Sequence, residues 1–430
     1  MNRESNNDTY YWCCEHKFLR KCKGRAITIL EGQDHILKKF NIHNHAPETS
    51  RTDVIQTLNN IRERALQTRE KPSQIIQDIV INMPEESFSY MPSNEAIRKQ
   101  ISHARNKNMP TQPQTLENIN VLDQLRTTIR GEQFLAKDIE FNNEKIMIFC
   151  TSNNLQYLEK ARYWLMDGTF KTVPTLFRQL YTIHAIVGGE KLINLGYEAG
   201  YDLSPPIIIT DFEQAVINSI RLNFSNSANK CCFFHLCQSL WRQIQAKGLS
   251  IEYGANATFS IKLRQLTAFA FLLSIEIPAA FDQIKPLMPS NATSIVNYFE
   301  NTYIREEVRQ QLRNGNIIYD PPTFSLSLWS IFELITHGYP RTQNFIEGWH
   351  HRWNNIVGRA HVGVYTIIEE IRKEQHQTDI NIERVLRGEP RPSQPKHVIN
   401  YERRIQAVFS SRNDYTLPDY LREIAHNISL

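Results

Sequence analysis

The sequence predicts an α/β protein: a mixed sheet with a large helical insertion, preceded by a small β-rich module and a helical linker region. Three observations predict it. Short apolar runs bounded by turn residues alternate with helical patterns between residues 145 and 235, as buried strands and their connections do. From Ser239 to about Arg313 the pattern is mostly helical, until Pro321-Pro322 breaks it. The first 48 residues hold three of the seven cysteines together with closely spaced histidines, which suits a small metal-held module better than a strand-and-helix layer.

Composition narrows the classes. The chain has 430 residues with 41% apolar and 22% charged side chains, which excludes a wholly disordered or collagen-like protein and leaves room for two or three domains. Lys+Arg 49 against Asp+Glu 45 gives a net charge of +4, so any basic surface for a polyanion must be local. The longest apolar run, Leu266 to Ile277, is interrupted by Thr267 and Ser274 and falls short of the roughly 20 residues needed to cross a bilayer. No membrane span is expected. The polar opening residues lack an apolar leader core, so a reducing interior is the default, where clustered cysteines suggest metal or core roles before disulfides.

Along the chain, residues 1–48 read as the metal module, ending at Pro47. Residues 49–114 read as helical. Val54, Leu58, Ile61 and Ala65 recur at helical spacing, Pro72-Ser73 opens a second helix bearing Ile75, Ile76 and Ile79, and Ser93-Asn94-Glu95 opens a third that ends before Pro110. Met109 to Gln114 reads as a linker. In residues 115–377, strands are expected at Ile146–Phe149, Tyr163–Met166, Leu180–Val187, Ile207–Ile209 and Cys231–Phe234. A short helix is expected at Leu155–Ala161, the helical insertion over about 239–340, and a long helix from near Thr342. Residues 378–430, with Pro390, Pro392 and Pro395, read as a loosely ordered tail before a short helix at Leu417–Ile424.

Two constellations carry chemistry. Cys14 and Cys22 are followed about twenty residues later by His43 and His45. Two thiols and two imidazoles make the tetrahedral set a structural zinc requires, and residues two apart on an extended chain present both rings to one side. Spacing alone leaves chance coincidence of buried cysteines and surface histidines open. The second is Asp167 after the strand 163–166, Asp211 after the strand 207–210, and Glu347 on the helix that follows the insertion. A carboxylate where a core strand surfaces is costly unless solvated, paired or bound to a cation. Three such acids can hold two Mg2+ or Mn2+ ions for in-line phosphoryl displacement. The plainer reading of Asp211, ahead of Phe212-Glu213-Gln214-Ala215, is a helix cap.

Tyr11-Trp12-Cys13-Cys14, then Cys22, then His43-Asn44-His45 resembles the second half of a FLYWCH-type zinc finger over roughly residues 10–47. The resemblance implies Cys14, Cys22, His43 and His45 as zinc ligands, with Cys13 a neighbour, and DNA or protein as partner. The family's opening Phe and Leu strand pair has no counterpart before Trp12, so the finger is expected to be partial. Asp167-Gly168-Thr169-Phe170, Thr210 to Ala215, Cys232-Phe233-Phe234-His235 with Trp241-Arg242, and Asn344 to His350 occur in the order of the Mutator-like element (MULE) transposase domain, which they resemble over roughly 145–375. That family has an RNase H-like fold and DDE chemistry. The resemblance implies Asp167, Asp211 and Glu347 as the acidic triad and Cys232 with His235 as its Cys-x-x-His signature. Only Gly188 to Pro206 lies between the second strand and that of Asp211, enough for an edge strand such as Lys191–Tyr197 without a crossover helix.

These readings together imply a nuclear, transposon-derived protein that binds double-stranded DNA and performs metal-dependent strand cleavage and transfer. Homo-oligomerisation is left open. Two alternatives stand beside it: an inert DNA-binding zinc protein, and a zinc module that binds protein. The phosphate-contacting candidates are the cluster Lys17, Arg20, Lys21, Lys23 and Arg25, and the third helix's Arg98, Lys99, Arg105 and Lys107. For the helix, a merely solvated face is the competing reading. Trp349 and Trp353, four apart, are expected in the core rather than stacked on bases.

Overall fold

The computed structural model describes residues 2–5, 9–18, 21–32, 34–46, 49–68, 70–106, 110–185, 203–305, 308–313, 315, 317–358, 360–390 and 395–430. The chain divides into two units, Met1–Met109 and Pro110–Leu430. The expected finger and helical region thus share the first unit, and the expected tail joins the second.

The first unit opens with an antiparallel sheet in the order β1 (Asn2–Ser5), β2 (Thr9–Cys13), β3 (Arg25–Glu31), β4 (Asp34–Asn41). A strand therefore does precede Trp12: β1 pairs with β2, with Asn2 opposite Trp12. The sheet has little core. Among its described side chains Cys22 and Thr28 are buried, and Trp12 Nε1 donates to Thr28 Oγ1 at 2.7 Å. Helices α1 (Thr49–Gln67), α2 (Pro72–Val80) and α3 (Asn94–Asn106) follow, as the apolar spacing predicts. Ile61, Ala65, Ile75, Ile76, Ile97 and Ile101 form their shared core.

The second unit begins with α4 (Asp123–Arg126), the hairpin β5 (Leu135–Phe141) and β6 (Glu144–Phe149), and α5 (Ser152–Glu159). Its main sheet has the order β10-β9-β7-β8, from β7 (Tyr163–Thr169), β8 (Leu180–Ala185), β9 (Ile207–Thr210) and β10 (Ala228–Cys231), with α6 (Gln214–Asn223) linking the last two. β8 runs antiparallel to β7, whereas β9 and β10 run parallel to it. The expected edge strand Lys191–Tyr197 lies outside the described residues, as does most of 188–206. The fourth strand ends where it was expected to start. Asn229 and Lys230 hide it in the sequence, because Lys230 is buried only by virtue of bonds from Nζ to Ser327 O and Glu333 Oε2 at 3.0 and 2.9 Å.

The insertion comprises α7 (Phe233–Ala246), α8 (Ser250–Ala255), α9 (Ala257–Ala268), α10 (Ile277–Ile284) and α11 (Thr293–Phe299). The hairpin β11 (Val308–Gln311) and β12 (Ile317–Tyr319) follows, then α12 (Leu326–Trp329) and α13 (Phe332–Thr336). That hairpin falls inside a stretch expected to be helical. The chain ends with α14 (Asn344–Val357), α15 (Val364–Leu386), α16 (Lys396–Ser410) and α17 (Leu417–His426). The tail is not loosely ordered. Ile405, Tyr420, Leu421 and Ile424 are buried in the same core as Leu165, Ile209, Phe269 and Phe281, so α16 and α17 complete the helical insertion from the far end of the sequence. Each strand alternates faces: Leu165 and Ile209 meet the helical core, while Trp164, Met166 and Ile208 pack with Ile220 on the other side. Among the described residues, no helix is long and apolar enough to cross a membrane.

Candidate functional site

Cys14, Cys22, His43 and His45 converge, with one donor atom from each within 4.8 Å of the others. β2 ends at Cys13, placing Cys14 at the turn, and β4 ends at Asn41, placing His43 and His45 just beyond it. Cys14 Sγ lies 3.2 Å from His45 Nε2, Cys22 Sγ 3.5 Å from His43 Nδ1, and the two ring nitrogens 3.3 Å apart. Ligands about 2.0–2.3 Å from a central zinc at tetrahedral angles would be separated by roughly 3.3–3.6 Å. The four side chains can therefore hold a metal ion. His45 Nδ1 donates to Ala46 O at 3.0 Å, which leaves Nε2 unprotonated for a ligand role. Burial pushes the Cys22 thiol up, but the backbone N–H groups of Asn44 and Gly24 and the side chains of Cys14 and His43 outweigh it and bring it down to about 6. Thiolate is the form a metal takes. A Cβ at Gly24 would stand 2.7 Å from His43 Cε1, so a glycine there is what lets the ring approach.

In the second unit, Asp167 lies in β7 and Asp211 immediately after β9, its parallel neighbour, whose register pairs Leu165 with Ile209. Asp167 shares a face with Leu165, on the helical side. Its Oδ1 accepts from Gly168 N at 2.9 Å and its Oδ2 lies 3.1 Å from His350 Nε2, three residues beyond Glu347 on α14. Asp211 Oδ1 accepts from Glu213 N at 3.2 Å. It braces the turn into α6 rather than capping the helix, which starts after Glu213.

The acids feel one another. Burial, then the charge of Asp167, raises Glu347 to about 7, opposed by His350. Burial also raises Asp211, to about 6; the Glu213 N–H opposes this, and Asp167 and Glu213 add to it. Tyr181 on β8 is raised by burial and by the charges of Asp211, Asp167 and Glu213. Burial takes His184 down to about 4, with His350 adding to the effect. Glu347 Oε1, His350 Nδ1, His235 Nδ1 and Tyr181 OH are buried without a hydrogen-bond partner among the described residues. Mutually repelling carboxylates and an orphaned oxygen fit a bound cation. The three acids nonetheless do not form a cluster with donor atoms within 4.8 Å of one another; among the described residues the Cys/His set alone does. Local bonds to Gly168, His350 and Glu213 hold the aspartates instead.

Cys232 and His235 join no cluster of metal-ligating side chains among the described residues. Burial lifts the Cys232 thiol to about 11, and its sulfur accepts from Gln343 N at 3.2 Å. Trp353 is buried in the core with Nε1 on Thr172 Oγ1, and the half-buried Trp349 stacks on it at 5.3 Å with Nε1 on Glu374 Oε1, so both pack into or against the core.

Of the expected phosphate contacts, Lys17, Lys21 and Lys23 are exposed, while Arg25 is half-buried and bonded to Gly24 O. Arg98 is exposed, and so is Lys99, which pairs with Glu95 at 2.9 Å. Arg105 is a correction. Its guanidinium donates to Ala65 O, Thr68 O and Glu70 O, closing the C-terminal end of α1, because a cation suits the orphan carbonyls there. Arg20 and Lys107 lie outside the described residues. Sequence reading missed His350 and Gln343. The available signal was helical spacing: His350 is three residues from Glu347 and Gln343 four, which puts all three on one helix face.

No family model matches the chain, and neither the curated proteins nor the solved structures gave a match.

Proposed function

We propose that the chain acts on double-stranded DNA through an RNase H-like domain in which Asp167, Asp211 and Glu347 are the working acids, preceded by a zinc-held finger. The observation that carries this reading is the placement of Asp167 in β7 and of Asp211 immediately after its parallel neighbour β9, with Glu347 entering from α14 and feeling the charge of Asp167. The order β10-β9-β7-β8, with one antiparallel strand beside β7, agrees with that fold. Mg2+ or Mn2+ held by the three acids would supply activation of an attacking oxygen and stabilisation of the leaving one. The chain's own part is to fix the carboxylates and keep the strands apart from solvent on the helical side. Zinc on Cys14, Cys22, His43 and His45 gives the finger its stability, and the exposed Lys17, Lys21 and Lys23 contact phosphates.

The test is Mg2+- or Mn2+-dependent nicking or strand transfer on labelled duplex carrying candidate transposon ends, comparing the native chain with Asp211→Asn. Activity lost in the variant supports the enzyme. A second reading rests on His350, whose ring already engages Asp167 Oδ2. With that contact permanent, the chain binds DNA without cutting it, and both proteins are inactive while salt-dependent binding persists.

A further inference from the structure

The ladder between β7 and β9 runs from Tyr163 opposite Ile207 to Leu165 opposite Ile209 and stops. Just beyond it, Met166 O and Ile209 O face a single group. Nε2 of Gln343 donates to both, at 3.1 and 2.6 Å. Ile209 O points toward β7, because the next carbonyl, Thr210 O, points the other way and accepts from Cys232 N at 2.7 Å. The carboxamide therefore sits in the gap where the two strands part. Two carbonyls across such a gap each need a donor, and one NH2 group offers two in a fixed plane. Asp167 is the residue after Met166, and Asp211 is two after Ile209. Gln343 thus holds the peptide unit that leads directly into Asp167 and the one that leads into Thr210, one residue ahead of Asp211.

Its backbone completes the link. Gln343 N donates to Cys232 Sγ at 3.2 Å, and Gln343 O accepts from Ile346 N and Glu347 N at 2.8 and 3.1 Å, opening the helix that carries Glu347. The side chain is wholly buried; its amide nitrogen is fully used while Oε1 has no hydrogen-bond partner among the described residues, so the two donated bonds are what hold it in place. We propose that Gln343 is the positioning residue that sets the three carboxylates relative to one another, with Cys232 acting through it as the anchor of its backbone. The proposal rests on the reading of Asp167, Asp211 and Glu347 as a divalent-cation site.

The experiment titrates Mn2+ into the zinc-loaded full chain and counts free Mn2+ by electron paramagnetic resonance. Four proteins are compared: native, Asp211→Asn, Gln343→Met, and Gln265→Met. The last removes a buried amide donor to Pro418 O in the helical core, away from the acids, and controls for general destabilisation. Gln343→Met is expected to remain folded and bind Mn2+ about 10–100-fold more weakly, the usual cost of losing an outer-sphere partner, while Gln265→Met binds as native. Native affinity in Gln343→Met, with binding lost in Asp211→Asn, overturns the role of Gln343 and leaves the acids standing. Native protein that binds no Mn2+, or binding indifferent to Asp211→Asn, removes the acids and the proposal together. If Gln343→Met does not fold, Cys232→Ala is read instead. It keeps the amide but frees its anchor, and is expected to weaken Mn2+ by about 3-fold or more; unchanged affinity overturns the proposal.

Discussion

Removing zinc from the first unit should unfold the four-stranded sheet and spare the second unit. The reason is the size of the core. Between Thr9 and His45, Cys22 is the one described apolar side chain beyond glycine that is buried, and Ile36, Leu37 and Phe40 on β4 are 44%, 55% and 63% exposed. Full burial of one such side chain stabilises by only about 1.5–3 kcal/mol, whereas a structural zinc supplies roughly 10–16 kcal/mol of apparent binding free energy. The metal must therefore dominate. Trp12 offers a clean reporter, since its indole N–H bonds Thr28 Oγ1 across the sheet. In indole-15N-labelled full chain, chelation should collapse the Trp12 resonance to its random-coil position while the other five of the six tryptophans keep theirs. Cys22→Ala should show the same spectrum without chelator, with zinc affinity reduced at least the roughly 100-fold that even an outer-sphere change can bring. A Trp12 signal unmoved after all zinc has been stripped would refute the reasoning.

Other outcomes follow from the same contacts. Gly24→Ala should weaken zinc binding, measured by competition with a chromogenic chelator, because its Cβ collides with His43. Leu421→Ala, at a fully buried position of α17, should cost about 3–5 kcal/mol in chemical denaturation of the second unit, whereas a loosely ordered tail would make it neutral. Arg105→Ala should destabilise the helical region by about 1–3 kcal/mol and leave the salt slope of DNA binding unchanged, while each of Lys21→Ala and Lys23→Ala should lower that slope by about 0.9. Arg64 holds the Glu70 carboxyl below its ordinary value, with burial opposing and Thr68 assisting. A depressed acid stabilises above its unfolded pKa of about 4.3 and loses that contribution as pH falls through the folded value. Amide protection in α1 and α3 should therefore drop on acidification in the native chain, and the native advantage over Glu70→Gln should vanish at low pH.

Helical periodicity made α1, α2 and α3 legible, because an apolar stripe of isoleucines faces a three-helix core and little else competes with it. The strands β7 and β9 were legible as apolar runs, since both faces of the sheet are covered. β10 was not, for Lys230 enters the core through partners some hundred residues away, Ser327 O and Glu333. The tail was misread for a related reason. Pro390, Pro392 and Pro395 separate α15 from α16 but say nothing of what lies beyond, and the apolar face of α17 finds its partner α9 from across the sequence. The basic residues of α3 looked alike in sequence, yet Arg105 alone reaches the open end of α1. Local pattern records local preference, and each of these cases turns on a partner that pattern does not name.

The same distinction separates a site from a structural feature in the second unit. Structural acids elsewhere in the chain settle with an arginine or a lysine, as Glu333 of α13 does with Lys230 and Glu70, between α1 and α2, with Arg64. Asp211 and Glu347 are instead raised to about 6 and 7, by burial first and then by neighbouring carboxylates, with His350 opposing at Glu347. Maintaining such groups in a buried place works against stability unless another ligand completes them. His350 completes Asp167 in part, and the Gln343 carboxamide holds the backbone at Met166 and Ile209, but among the described residues Glu347 Oε1 has no hydrogen-bond partner. The proposal of a cation at these acids rests on that difference: among the described residues Glu347 Oε1 is left without a partner where Glu333 and Glu70 are paired.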